Sequence, residues 1–273
     1  MTLKKTKQMS EFLKDIQNLE DKRGIDIQKV GINNVDVPLL VQKKDSNDQI
    51  VSAKAKMCVD LPAKYKGTHM SRFIKVLNTW SQKGLAGIDI KGCLEDLMQT
   101  LNSKNASVKF NFKYYIEKQA PVTCQKGMMG YDCSFEGGID NDKYTFILGV
   151  KVPVTTLCPC SKEISDYSAH NQRAMISVKI QYDEENHIWL EDLIEALETC
   201  GSCPVYPFLK REDEKYVTEF AYNNPKFVED VLRDTILQLK KFRIIKKAKV
   251  EVEAMESIHN HNAWAMQEIS FEK

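Results

Sequence analysis

The chain has 273 residues, of which 39 are lysine or arginine and 38 are aspartate or glutamate, so its formal net charge is +1. This balance excludes the strong basic field that draws a protein to nucleic acid or to an anionic membrane. The amino terminus is polar, and no run approaches the roughly 18 apolar residues of a membrane span. We therefore expect a cytoplasmic protein with no nucleic-acid or membrane partner, whose eight cysteines are thiols rather than disulfides.

Local periodicity predicts strands and helices along the first half of the chain. Residues 1–24 are rich in lysine and aspartate with weak periodicity, which predicts a flexible N-terminal arm. Apolar residues at every second position predict half-buried antiparallel strands, and apolar residues at helical spacing predict amphipathic helices. In chain order these elements are strands 31–41 and 51–61, helices 70–82 and 88–102, and strands 108–114 and 129–136.

The second half repeats this order of elements. They are strands 144–154 and 174–180, helices 189–197 and 225–235, and strands 248–254 and 263–271. The last helix is predicted to begin with Pro225 at its first position. The predicted fold class is α+β, with two ββααββ modules at 25–140 and 141–273 whose antiparallel sheets carry helices on one face. Long exposed sheet edges favour association, so we expect a homo-oligomer.

The sharpest cluster of reactive side chains follows a predicted strand end, in the sequence TTLCPCSKE at 155–163. In an extended segment Cys158 and Cys160 would point to opposite faces, which allows one to bind a metal while the other faces a substrate. His170 lies at the far side of the same loop and is placed to close back on the same ion. Cysteine and histidine suit zinc and other borderline metals. A pair of buried thiols at a strand end is the alternative that spacing alone leaves open.

Two further polar clusters are weaker signals on their own. Glu256 and His259 lie in a predicted turn between the last two strands and can aim at one point, although the pattern alone favours a solvated hairpin. A charge run at 210–219 joins two predicted helices. Its basic members suit a polyphosphate, and its acidic members include a candidate oxygen ligand. Those basic residues are Lys210, Arg211 and Lys215.

One cysteine motif is predicted to be structural. Cys200 and Cys203 form a lone CxxC without a second pair of ligands, which predicts a helix end with Gly201 as the stop signal.

Taken together, these tracts resemble the GTP cyclohydrolase IB family. The matching segments are GTHMSRF (67–73), PVTTLCPCSKEISDYSAHNQR (153–173), LKREDEKYVTE (209–219), NPKFVEDVLRD (224–234) and ESIHNH (256–261). They occur in family order and extend over most of the chain beyond the arm. The resemblance implies a tunnelling fold assembled as a homotetramer, with the second module carrying most of the site. It also implies that metal-activated water attacks C8 of GTP, giving formate and 7,8-dihydroneopterin triphosphate for tetrahydrofolate and queuosine-type synthesis.

The resemblance also implies roles for individual residues. A divalent metal, Zn²⁺ or Mn²⁺ with Fe²⁺ as a further candidate, would be held by Cys158, His170, Glu214 and His259. Cys160 is implied to be a second thiol that faces the substrate. Glu229 is implied to accept hydrogen bonds from the guanine edge, and Glu256 is implied to be a polar active-site residue near the metal. Lys210, Arg211 and Lys215 are the candidate triphosphate ligands. The chief departure is Glu212, where family members often have proline, and this departure puts the local loop shape in doubt.

Three competing functions remain. The first is a nitrile-reducing oxidoreductase of the same fold, which would use a thiol covalently with NADPH and no metal. The second is a non-catalytic protein that binds metal or pterin. The third is a relative that releases a cyclic phosphate. Metal dependence, turnover and the identity of the product separate these alternatives.

Overall fold

The computed structural model describes residues 15–45, 48–83, 87–183 and 185–271. The first half of the chain contains β1 (Ile27–Val41), β2 (Gln49–Leu61), α1 (Met70–Ser81), α2 (Gly87–Leu101), β3 (Ala106–Gln119) and β4 (Lys126–Asp140). The second half contains β5 (Lys143–Leu157), α3 (Pro159–Ile164), β6 (Asn171–Tyr182), α4 (Leu190–Glu198), β7 (Cys203–Pro204), α5 (Arg211–Asn223), α6 (Val228–Leu239), β8 (Ile245–Ala254) and β9 (Ala263–Ser270). Most of the predicted arm lies outside the described residues.

All strands belong to one antiparallel sheet with the order β1-β2-β3-β4-β5-β6-β8-β9, and β7 pairs with β5. The two halves are joined by the β4–β5 hairpin, whose turn residues Asn141 and Asp142 have φ angles of 48° and 62°. Two successive positive φ angles are typical of the type I′ turn that matches the twist of a hairpin. The α+β fold with helices layered on one face is thus confirmed, and the sheet runs without a break across both halves.

The core lies between the sheet and its helices. Along β3, Val108, Phe110, Phe112 and Tyr114 are buried, and Asn111 between them is exposed, as the alternating pattern predicts. Burying each such side chain stabilises the fold by roughly 1.5–3 kcal/mol. These buried side chains pack the sheet against the helices, so the opposite face of each strand is the one without a helix over it.

The helix-free face of the sheet is polar. A groove of about 640 Å³ on this face is lined by residues that include Lys109, Lys151, Lys179 and Lys249. Neighbouring carboxylates balance part of this charge; Glu136, for example, lies 3.4 Å from Nζ of Lys109. None of the helices among the described residues is long and apolar enough to cross a membrane.

The charge run at 210–219 is not a connection between helices, as the sequence suggested; almost all of it belongs to an additional helix, α5. Glu212, Asp213 and Glu214 occupy its first turn, where carboxylates interact favourably with the helix dipole. Glu212 lies at a position where the backbone N–H has no partner within the helix, so glutamate and proline are both compatible with the first turn. Glu212 is thus accommodated in a regular first helical turn.

Two other local predictions were wrong for reasons of packing. Helix α6 begins at Val228 rather than Pro225, because the backbone N–H of Lys226 donates to the carbonyl of Leu157 at 3.0 Å and holds this segment outside the helix. Helix α4 ends at Glu198, so Gly201 does not stop it. A Cβ on Gly201 would lie 2.5 Å from Cβ of Val154, so glycine is needed there for close approach to β5.

Candidate active site

The site is built around the end of β5, where Cys158 caps the short helix α3. Cys158 is in an extended conformation, and its Sγ accepts a hydrogen bond from the backbone N–H of Ser161 at 3.4 Å. Pro159 follows at the first helical position, where its missing N–H has no intrahelical partner to lose. The prediction that Cys158 and Cys160 share an extended segment was therefore wrong. Cys160 lies inside the helical turn and is exposed, whereas Cys158 is half-buried.

The loop after α3 returns to the same point and places His170 beside Cys158. The backbone N–H of Cys158 donates to the carbonyl of His170 at 3.1 Å. The backbone N–H of His170 donates to Oγ of Ser161 at 3.2 Å. These bonds continue the pairing of β5 with β6, so the two candidate ligands emerge side by side from adjacent strands.

Gln172 connects His170 to a third strand. Its side-chain oxygen lies 2.9 Å from Nδ1 of His170, and its side-chain nitrogen donates to Oγ1 of Thr156 at 3.1 Å. The same nitrogen donates to Oε1 of Glu256 at 3.4 Å. Glu256 lies just after β8, so three adjacent strand ends converge here. The sequence analysis missed Gln172, although residues two apart in an extended segment point the same way, and its position two residues after His170 was an available signal.

The β8–β9 connection carries His259 on the surface. The rings of His259 and His261 stack with their centroids 5.0 Å apart, and both side chains are exposed. The start of this connection is held in place because the backbone N–H of Met255 donates to the carbonyl of Arg173 at 2.9 Å. Glu256 is therefore fixed near His170, whereas His259 extends away into solvent.

Helix α5 carries the charged candidates and is anchored by a buried carboxylate, Asp213. The carboxylate accepts hydrogen bonds from the backbone N–H groups of Val122 and Thr123, each at 2.9 Å, and from Oγ1 of Thr123 at 2.6 Å. It also accepts from the backbone N–H of Lys210 at 3.0 Å. This clamp fixes the start of α5 against the β3–β4 turn. Around it, Lys210, Arg211, Glu214 and Lys215 are exposed.

Burial opposes ionisation of Asp213, but the hydrogen bonds from Thr123, Lys210 and Val122 outweigh it and hold its pKa well below the usual range. A depressed folded pKa gives stability that is fully present above the unfolded pKa of about 3.9 and is lost as the pH falls toward the folded value. We expect Asp213→Asn to have a lower urea midpoint than the wild type at about pH 7. This difference should shrink below about pH 4.

Exposed Asp166 provides the matched control for that experiment. Asp166→Asn is expected to follow the wild-type urea midpoint at every pH. A deficit of Asp213→Asn that is the same at neutral and acid pH would contradict the assignment of the depressed pKa.

Lysine side chains link α3 to α5 and hold the segment before α6 against the residues that follow α4. Nζ of Lys162 donates to the carbonyl of Tyr222, near the end of α5, at 2.5 Å. Nζ of Lys226 donates to the carbonyl of Cys200 at 3.0 Å and to Asp234 at 2.8 Å. Glu229 follows three residues later in the first turn of α6 and is exposed. The backbone N–H of Lys226 donates to the carbonyl of Leu157, so the start of α6 lies at the end of β5, where Cys158 follows.

The four predicted metal ligands are not gathered by one chain. Among the described residues, no group of three or more His, Cys, Asp or Glu side chains is arranged to hold a metal ion. Cys158 and His170 are neighbours, but Glu214 lies eight residues before Tyr222, roughly 12 Å along the axis of α5. The donor types themselves, a thiol, imidazoles and a carboxylate, fit zinc, manganese or iron.

The remaining cysteines separate into inert and accessible thiols. Burial raises the pKa of Cys93 to about 12 and that of Cys203 to about 11. These thiols stay protonated at neutral pH, which agrees with a structural role for the CxxC. Cys158, Cys160 and Cys124 are the thiols with solvent access.

A family model described as type I GTP cyclohydrolase folE2 matches residues 13–265. The chain belongs to the type I GTP cyclohydrolase family. Curated relatives named GTP cyclohydrolase FolE2 include the protein of Geotalea uraniireducens, 47% identical over 93% of this chain and 92% of its own. The relative from Thermosipho africanus is 48% identical over 93% of this chain and 96% of its own.

Solved structures confirm the chain fold that the resemblance to the IB family implied. A uricase from Arthrobacter globiformis superposes with a TM-score of 0.57 at 5% identity, over 90% of this chain and 94% of the uricase. A urate oxidase from a Bacillus species gives a TM-score of 0.51 at 7% identity, over 89% of this chain and all of the other. At such low identity the likeness concerns the fold alone.

Proposed function

We propose that this protein is a GTP cyclohydrolase of type IB, which hydrolyses the imidazole ring of GTP to formate and 7,8-dihydroneopterin triphosphate. This reaction is the first step of tetrahydrofolate synthesis and also supplies queuosine-type bases, and we place it in the cytoplasm. One observation carries the proposal: in a chain of the type I GTP cyclohydrolase family, Cys158, His170 and Glu256 converge where three strands end.

The proposed cofactor is a divalent metal ion, Zn²⁺ or Mn²⁺ with Fe²⁺ as a further candidate. Cys158 and His170 are the first two ligands, and Glu214 and His259 are the others. When bound, the ion would supply an activated water and polarise the substrate. A mixed shell of sulfur, nitrogen and oxygen is consistent with more than one metal.

We propose that assembly into a homotetramer completes the site. Strands β1 and β9 lie at the two ends of the sheet, and unpaired strand edges favour association. On β9, Trp264 is 58% exposed and Met266 is 40% exposed. Because Glu214 and His259 are exposed in one chain, packing of a second copy is the step that would bring further ligands to Cys158 and His170.

The chain's other residues would bind and orient GTP. Glu229 accepts N–H bonds from the guanine edge, and the cations Lys210, Arg211 and Lys215 hold the triphosphate. Glu256 is half-buried, is joined to His170 through Gln172, and would take up and return protons at the reacting ring. Cys160, exposed on α3, is the second thiol that faces the substrate.

We expect Glu229→Gln to lower kcat/KM for GTP about 10- to 100-fold, since a hydrogen bond to a charged group contributes about 1.5–3 kcal/mol. The loss should be smaller for ITP, which lacks the 2-amino group of guanine. Steady-state kinetics with both nucleotides measure this. The exposed Glu95→Gln on α2 is the control. An equal loss for GTP and ITP would show that Glu229 does not bind the guanine edge.

The test of the proposed function is formate release together with pterin fluorescence when metal-stripped protein is incubated with GTP. Both products should appear on addition of Mn²⁺ or Zn²⁺ and should be absent without metal. Chromatography of the product distinguishes the triphosphate from a cyclic phosphate. Nitrile reduction with NADPH and without metal would instead identify the oxidoreductase, and binding of metal or GTP without turnover would identify a binding protein.

A further inference from the structure

Gln172 is the residue through which three parts of the candidate site meet. It lies on β6, half-buried, with the imidazole of His170 on one side and the carboxylate of Glu256 on the other. The third contact is the buried hydroxyl of Thr156 on β5. The side chain therefore has a hydrogen-bond partner at each end of its amide.

The carboxylate of Glu256 determines which way the amide points. An ionised carboxylate only accepts hydrogen bonds, so the amide nitrogen must face it and the amide oxygen must face His170. The opposite orientation would set two acceptors against each other. Since an amide oxygen also only accepts, Nδ1 of His170 must be the donor across the 2.9 Å contact and must carry the ring proton.

We infer that Gln172 is a positioning residue that holds the imidazole of His170 in the Nδ1–H tautomer and leaves the lone pair of Nε2 available as a ligand atom. Among the residues that the structure describes, none forms a hydrogen bond with Nε2 of His170. Histidines that bind metals generally donate their other ring N–H to a nearby acceptor, which fixes the ring. The metal-binding consequence rests on the proposed function, whereas the tautomer does not.

The tautomer is measurable in metal-free protein labelled with ¹⁵N-histidine. Magic-angle-spinning NMR at about pH 8, above the ordinary histidine pKa of about 6.5, separates protonated from unprotonated ring nitrogens. The chain has five histidines, and a His170→Gln variant identifies the signals of His170. We expect the Nδ1–H form in the wild type and a shift toward the Nε2–H form in Gln172→Met.

Two further variants separate positioning from general damage to the strand. Gln181→Met, on the same strand but remote from the site, is the matched control and should leave the tautomer unchanged. Combining Gln172→Glu with Glu256→Gln exchanges the amide and the carboxylate, and so keeps an acceptor facing His170. This double variant should restore the Nδ1–H form.

Affinity for Zn²⁺, measured by competition with a chromogenic chelator, should fall about 10- to 100-fold in Gln172→Met and stay constant in Gln181→Met. The Nε2–H form in the wild type, or an unchanged tautomer in Gln172→Met, would overturn the inference. An equal loss of affinity in Gln181→Met would also overturn it. A wild-type protein in the Nδ1–H form that binds neither Zn²⁺ nor Mn²⁺ would support the positioning role and contradict the proposed metal site.

Discussion

The Cys158→Ser variant is expected to lose GTP turnover by about 10³-fold or more while keeping its fold. A serine hydroxyl can still accept the hydrogen bond that Sγ receives from the backbone N–H of Ser161, and serine is a favoured N-cap residue. It does not supply a thiolate ligand at neutral pH. Loss of about 4 kcal/mol of transition-state stabilisation corresponds to that factor in rate. Single-turnover assays of formate release measure it.

Cys124→Ser is the matched control for this experiment. Cys124 lies in the β3–β4 turn, and its exposed thiol makes a weak contact with the carbonyl of Val122 at 3.9 Å. Turnover by Cys124→Ser should equal that of the wild type, and circular dichroism should be the same for all three proteins. Normal turnover by Cys158→Ser would exclude Cys158 from the proposed chemistry.

The Glu198→Leu variant is expected to lower the free energy of unfolding by about 3–5 kcal/mol. Glu198 is 8% exposed, and its Oε1 accepts hydrogen bonds from Nζ of Lys118 and from the hydroxyl of Tyr131, each at 2.6 Å. Removing the carboxylate leaves the ammonium with the carbonyl of Val205 and the ring of Tyr206 as its remaining partners. Urea unfolding at a fixed protein concentration measures the change.

A double-mutant cycle tests whether an unpaired buried charge causes this loss. Adding Lys118→Met to Glu198→Leu removes the second charge and should recover most of the stability. Lys118 and Tyr131 belong to the β3–β4 hairpin. Near the turn of this hairpin, Glu117 and Lys126 form an ion pair whose side chains are more than half exposed. Glu117→Leu should therefore cost less than about 1 kcal/mol. No recovery in the double variant would show that the loss has another cause.

Local patterns were sufficient to predict the fold class and most elements. The alternation in β3 places Phe110 and Lys113 on opposite faces whatever the rest of the chain does, because side chains in a strand alternate with a period of two. The predicted first helix, 70–82, matches α1 to within one residue. The sequence also identified Cys158 and His170 as candidate ligands, because they lie at the two ends of one short loop. In the structure these two ends are hydrogen-bonded to each other.

Helix α5 was not predicted from the sequence because its first half is a run of charged residues. Asp213 looks like one more solvated carboxylate in a run of charges, yet it is fully buried. The groups that satisfy it, Val122 and Thr123, lie about 90 residues earlier in the chain. A local pattern contains no information about such a distant partner, so the anchored helix was taken for a connection.

The sequence by itself determined the strand and helix pattern and the membership in the type I GTP cyclohydrolase family, because both are carried by residues close together in the chain. Only the tertiary structure decided how the site is held. The contact between Gln172 and Glu256 spans 84 residues and exists because β8 pairs with β6. Hydrogen bonds between side chains depend on distances of a few tenths of an ångström, and those distances are set by the packing of the whole sheet.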